Sequence, residues 1–162
     1  MLAKHDGQFR LGGEPQSCHV IRVAIRAAKF AIVNCPNRLL ELVLTSLSHD
    51  TYEDTKTSIK ELVNLFGEKV ARNVVALSHI EEEEPDEVYL ARVAAGGKIV
   101  VLVKRFDRLD NIGSLADASL EFRKKKLVEI RNALSIWQRI DPDGAQEIKK
   151  EVVRWSKENC LG

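Results

Sequence analysis

The chain has 162 residues, 44% hydrophobic and 30% charged, which is enough apolar material for one packed domain spanning 1–162 and too much for a disordered chain. Lysine and arginine total 25 against 24 aspartate and glutamate, so no overall field argues for nucleic acid or membrane as a partner. No apolar run is long enough to span a bilayer and no secretory core follows Met1, so the expected location is cytoplasmic.

The elements read almost entirely as helix, and the expected fold class is all-α. From His19 to Val33, Val20, Val23, Ala24, Ala27 and Ala28 recur at helical spacing. Pro36 suits the first turn of a second helix, whose apolar face carries Leu39, Leu40, Val43, Leu44 and Leu47 and which ends on His49-Asp50. Ser58 to Glu61 has the form of a capping box, and Gly67 reads as a stop after Phe66. A further helix runs from Glu68 to Ile80, followed by an acidic loop, Glu81 to Asp86. A short helix from Glu87 to Ala95 breaks at Gly96-Gly97. Ile99 to Val103 alone resembles a buried strand, but no strand partners exist, and the segment Lys98 to Leu115 is expected to be helical. Helices over Leu120–Ile140 and Ala145–Asn159 complete the chain, with Trp137 and Trp155 expected in the core or an interface.

Cys18, Cys35 and Cys160 are odd in number and widely spaced, which fits reduced structural thiols; Cys18 adjoins His19, and a thiolate there would suit zinc. The chemistry-bearing residues cluster elsewhere. His49 and Asp50 are followed one turn on by Glu53 and Asp54. Neighbouring side chains on a helix point about 100° apart, so His49 and Asp50 can share one cation only near a helix end. With His19 and Asp107 they make two imidazoles and two carboxylates, a set suited to an octahedral ion with open positions for water. That favours manganese, with iron or magnesium as alternatives. The bland reading is a capping pair plus a surface ion pair.

Three blocks then resemble the HD hydrolase domain of the RelA/SpoT family, including its small alarmone hydrolases. They are His5-Asp6-Gly7-Gln8-Phe9-Arg10 with Gly12-Gly13-Glu14-Pro15 and His19; His49-Asp50-Thr51-Tyr52-Glu53-Asp54 with Phe66-Gly67-Glu68; and Tyr89-Leu90 with Lys104-Arg105-Phe106-Asp107-Arg108-Leu109-Asp110-Asn111. The resemblance implies that His19, His49, Asp50 and Asp107 hold one Mn2+, with Fe2+ or Mg2+ as substitutes. It implies that Glu53 and Asp54 activate water and handle its proton, in either order. Arg10 would pack on a guanine base and Asn111 would contact the nucleoside. Lys104, Asp107 and Asn111 share one helix face by spacing. The implied activity is metal-dependent removal of the 3′ pyrophosphate from the guanine nucleotides ppGpp and pppGpp. Another nucleotide as substrate, or a non-catalytic nucleotide-binding module, stands as the alternative.

Departures from the family pattern fall at Gln16, Val20, Asp110 and Gly113-Ser114, and these positions are expected to flank the nucleotide rather than the metal. The chain begins close to His5, so the family's leading helix is expected to be shortened, and no synthetase domain is expected beside the hydrolase. His5 is expected to play a supporting role, and His79 and the run Glu81 to Glu84 to be solvated. Arg123 to Lys126 reads as a charged helix face, with reach to substrate phosphates as the alternative if that helix borders the pocket. Oligomeric state is open, a homo-oligomer included.

Overall fold

The computed structural model describes residues 1–10, 12–79 and 84–158. What was expected of Ile80, of Glu81 to Glu83, of Asn159 and of Cys160 lies outside the described residues. Eight α-helices follow in order: α1 (Gln16–Asn34), α2 (Leu39–Ser48), α3 (Thr51–Asp54), α4 (Ile59–Leu77), α5 (Asp86–Ala95), α6 (Lys98–Gly113), α7 (Leu120–Ile140) and α8 (Pro142–Glu158). Short 3-10 turns cover Leu2–His5, Pro36–Arg38 and Ser114–Asp117. Among the described residues there is no strand, only an isolated bridge between Phe9 and Pro15, so the fold is all-α.

Helix α6 is the centre of the packing and touches α1, α2, α4, α5 and α8. This explains why Ile99 to Val103 looks like a strand in sequence. Ile99, Val100, Leu102, Val103, Phe106, Leu109 and Ile112 are all buried, because partners cover the helix on most of its circumference. A continuous apolar run is therefore compatible with helix here, and the expectation for this segment holds. Helices α7 and α8 pack on each other, and α8 packs on α6, with Trp137 and Trp155 buried as expected. A smaller cluster of Leu62, Val70, Ala71 and Val74 lies along α4 with Leu44 and Tyr52 against it.

Local signals hold in part. Ser58 Oγ accepts the backbone N–H of Glu61 at 3.2 Å, as a cap should, but the Glu61 side chain pairs with Lys4 at 2.6 Å instead of returning to Ser58. Gly67 breaks the helical backbone after Phe66 as expected: at φ 82° and ψ 164° it kinks α4, and the helix resumes beyond it and runs to Leu77. Pro36 begins a 3-10 turn that runs into α2, and α8 starts at Pro142, a turn before the expected Ala145. Asp141 accepts the N–H of Gly144 at 3.1 Å, satisfying an exposed donor of the first turn of α8.

Candidate active site

Three helices bring the ligand set together. His19 comes from the first turn of α1, Asp107 from the middle of α6, and His49-Asp50 fill the two-residue junction between the end of α2 and the start of α3. Breaking the helix at that junction frees the two neighbouring side chains to converge. One ligand atom each from His19, His49 and Asp107 lie within 4.8 Å of one another. Asp50 reaches both rings, with its Oδ1 2.9 Å from His49 Nε2 and its Oδ2 3.5 Å from His19 Nε2. His19 Nε2 lies 3.3 Å from Asp107 Oδ1, and His49 Nε2 lies 3.8 Å from the same atom. Cys18 is not part of this group.

The rings are held from behind. His49 Nδ1 donates to the Ser46 carbonyl at 2.8 Å, which turns Nε2 inward. That inward nitrogen is buried and has no hydrogen bond of acceptable geometry. A buried polar atom without a partner is costly unless something else occupies the centre. Two imidazole nitrogens with carboxylates on neighbouring atoms suit a divalent metal, and the residues present fit one. Burial disfavours charge on these groups, yet Asp50 and Asp107 beside it raise His49 to about 10. Burial likewise opposes the Asp107 carboxylate, and Lys104 with the two histidines holds it well below the usual range. The carboxylates thus favour positive charge at the centre, the balance that a bound cation would supply.

The expected helix face is present on α6. Lys104 Nζ lies 2.9 Å from Asp107 Oδ2, and Asn111 Nδ2 donates to Asp107 Oδ1 at 2.7 Å. Arg10 arrives on the loop before α1, where Gly13, at φ 78°, donates its N–H to the Arg10 carbonyl at 2.9 Å and closes the turn. The Arg10 guanidinium donates to Asn111 Oδ1 at 2.7 Å, so two residues assigned to the nucleoside touch each other. Glu53 faces the same cleft, and its Oε2 accepts the His79 backbone N–H at 2.8 Å. Burial, then the charges of Asp50 and Glu53, pushes the Asp54 carboxyl up to about 6. Gln8 holds Asp54 through its backbone carbonyl at 2.8 Å, and buried His5 holds Gln8 at 2.7 Å, consistent with the supporting role expected of His5.

Several expectations need correction. Gln16 does border the cavity, but its Nε2 also donates to Asp50 Oδ2 at 2.8 Å, so it acts on the metal end too. Val20 is fully buried core, because its position on α1 faces the interior. Asp110 is buried beside His19 rather than flanking a nucleotide, since it lies one turn from Asp107 on the same face of α6. Ser114 borders the cavity as expected. His79 is not simply solvated. It stacks on Tyr89 with centroids 3.9 Å apart and lines the cleft, held there by Arg92, which caps the Val75, Ala76 and Ser78 carbonyls at the end of α4.

The cleft has two connected parts. A polar part of about 420 Å3 holds His19, Asp50, Glu53, Lys104 and Asp107, and an adjoining cavity of about 520 Å3 has apolar walls from Phe9, Leu115, Ala118, Phe122 and Ile130. Arg10, Gln16, Arg108, Asn111 and Lys126 border both. Lys126 therefore contributes to the cleft instead of a plain charged face, and Arg108 was missed. Its Nε is buried without a partner. The signal for Arg108 was available, since it sits three residues before Asn111 on one helix; for Lys126 the sequence offered the alternative but not whether its helix borders the cleft.

Comparison with known proteins bears on the family. No family model matches the chain. It is 32% identical over 166 residues to guanosine-3′,5′-bis(diphosphate) 3′-pyrophosphohydrolase of Aquifex aeolicus, covering 94% of this chain and 22% of that protein. The enzyme of the same name from Haemophilus influenzae is 30% identical over 136 residues, with 77% and 19% covered. The bifunctional (p)ppGpp synthase/hydrolase SpoT of Escherichia coli K12 is 27% identical over 130 residues, with 75% and 18% covered. The chain thus spans about a fifth of the length of the curated relatives it matches. A solved structure described as a metazoan ortholog of SpoT that hydrolyses ppGpp shares the fold, with a TM-score of 0.71 at 22% identity over 99% of this chain and 91% of that one. Sequence likeness over most of the chain and fold likeness over nearly all of it together support an HD hydrolase domain of the RelA/SpoT family.

Proposed function

We propose that this chain is a single HD-type domain that hydrolyses guanosine tetraphosphate or pentaphosphate at the 3′ position, releasing pyrophosphate and leaving GDP or GTP. The observation that carries the reading is the buried His19, His49 and Asp107 group, with Asp50 against it, at one end of a cleft whose other end is a nucleoside-sized apolar cavity. The substrate class follows from the names of the relatives, which are matched over most of this chain.

A divalent cation held by His19, His49, Asp50 and Asp107 supplies Lewis acidity, lowering the pKa of water and offsetting phosphate charge; Mn2+ is the ion proposed, with Fe2+ or Mg2+ able to stand in. The 3′ diphosphate lies toward Lys104 and the ligand group, and the guanosine occupies the apolar cavity beside Arg10 and Asn111. Asp54, at about 6, accepts the proton of the attacking water near neutral pH, and Glu53, tethered by the His79 N–H, orients that water. Water adds across the bond between the 3′ oxygen and phosphorus, and the proton returns to the leaving 3′ oxygen. Arg108 and Lys126, at the junction of the two parts of the cleft, face the remaining phosphates.

Product analysis of guanosine tetraphosphate incubated with pure protein tests this. GDP and pyrophosphate appearing only with added Mn2+ are expected. No turnover in protein that still holds Mn2+ would overturn the substrate and favour another nucleotide or a binding module.

A further inference from the structure

The geometry points to Asp110 as a positioning residue that fixes the ring of His19 for metal binding and ties it to the loop carrying Arg10. It rests on the metal half of the proposed function and not on the substrate. Asp110 is three residues beyond Asp107 on α6 and is only 5% exposed. His19 Nδ1 donates to its Oδ2 at 2.7 Å, which leaves Nε2 free to face Asp50 and Asp107. The same carboxylate takes Arg22 Nε on Oδ1 at 2.8 Å and Arg22 Nη2 on Oδ2 at 3.0 Å. Arg22 continues to Glu14, donating from Nη2 to Oε2 at 2.8 Å with a second, shorter contact from Nη1 to Oε1. The Glu14 carbonyl accepts the Arg10 N–H at 2.8 Å. An unbroken chain of contacts thus joins a metal ligand to the loop at the mouth of the apolar cavity.

The chemistry of the chain requires a carboxylate at position 110. Arg22 has only donors to offer, and both Asp110 oxygens already accept from it. An amide at this place has one oxygen. Turned to Arg22, that oxygen leaves the NH2 facing His19, and the ring must then accept at Nδ1 and carry its proton on Nε2, where the ligand lone pair belongs. A carboxylate behind a ligating histidine also makes the ring more basic. This was one of the positions at which the sequence departs from the family pattern, so the device belongs to this chain's own residues.

The test is Asp110→Asn, read by calorimetric titration with Mn2+ and by thermal unfolding of the metal-free protein. Mn2+ is expected to bind about 10- to 100-fold more weakly to a protein that remains folded. Arg22→Gln, which spares the carboxylate–imidazole contact, is expected to lose less. Long-range proton–nitrogen spectra of the histidines in the native protein, loaded with Zn2+ as a diamagnetic probe, should show His19 protonated at Nδ1 and metal-bound at Nε2. Should Asp110→Asn fail to fold, that spectrum decides alone. Mn2+ affinity within twofold of native in folded Asp110→Asn, an equal loss in Arg22→Gln, or His19 bound through Nδ1 would overturn the assignment. Each readout is independent of turnover, so a protein inactive on guanosine tetraphosphate still answers the question.

Discussion

At the α1–α2–α6 end of the cleft, His19 is backed by Asp110, His49 by the Ser46 carbonyl, Asp50 by Gln16 and Asp107 by Lys104 and Asn111. At the α7 end, the walls are Leu115, Ala118, Phe122 and Ile130, with Phe9, 67% exposed, on the rim. In the first region each candidate ligand is held by a hydrogen-bond or ion-pair partner, for His19 and Asp50 from another element and for His49 and Asp107 from neighbouring turns. The second offers apolar surface, and the buried, unpaired Arg108 Nε of α6 lies where the two meet. The contrast teaches a division of labour. Charge that reacts needs preorganised partners in a dry site, where reorientation would cost catalysis. A base and ribose need shape and apolar area, with a few polar groups to fix orientation.

The contrast can be broken most severely at the metal end. Asp50→Ala removes a carboxylate shared by both rings and is expected to abolish metal retention and turnover; metal analysis of the purified variant checks it, and full metal content would move the centre elsewhere. Next come the acidic pair. Glu53→Gln and Asp54→Asn are expected to keep the metal and to lower kcat by about 100- to 10,000-fold, the usual range for a positioned acid–base group.

The same pair gives a pH test. Asp54 can accept a proton only when ionised, so turnover should rise with pH through a midpoint near 6 and flatten above it. Asp54→Asn should remove that limb, whereas Glu53→Gln should lower the rate and keep it. A limb surviving in Asp54→Asn would exchange the two roles.

Effects should be smaller, and of a different kind, at the junction of the two parts and at the α7 end. Arg108→Gln removes a charged donor with no internal partner, and losing about 1.5–3 kcal/mol of charge-assisted hydrogen bonding should raise KM roughly 10- to 100-fold with metal affinity unchanged. Phe122→Ala strips part of an apolar wall, and at about 25 cal/mol per Å2 a loss of roughly 40 Å2 of contact weakens nucleotide binding by about 1 kcal/mol, near fivefold. Steady-state kinetics beside a Mn2+ titration separates the cases. Equal damage to Mn2+ binding from Phe122→Ala would erase the distinction between the two ends.

Much of the metal end was legible in the residues themselves. A cation dictates its ligand types, and the spacings Lys104, Asp107, Asn111 and His49-Asp50 before a turn follow from helix geometry alone. The all-α fold was legible for the same reason, since periodicity and caps are local, down to the break at Gly67 that divides α4. The partners that reach the ligands from other elements were not legible: Asp110 and Gln16 read as positions flanking the nucleotide until α1 is laid against α6 and the α2–α3 junction brings Asp50 to Gln16.

Local chemistry therefore determined which segments are helical and which candidate site residues share a helix face or a turn, because both depend on residues close together in the chain. Only the tertiary structure decided that α7 closes the cleft with Phe122, Lys126 and Ile130, and that His79 stacks on Tyr89 across from Lys104. Those contacts join residues far apart in sequence, and their energy comes from burying surfaces that no single helix presents by itself.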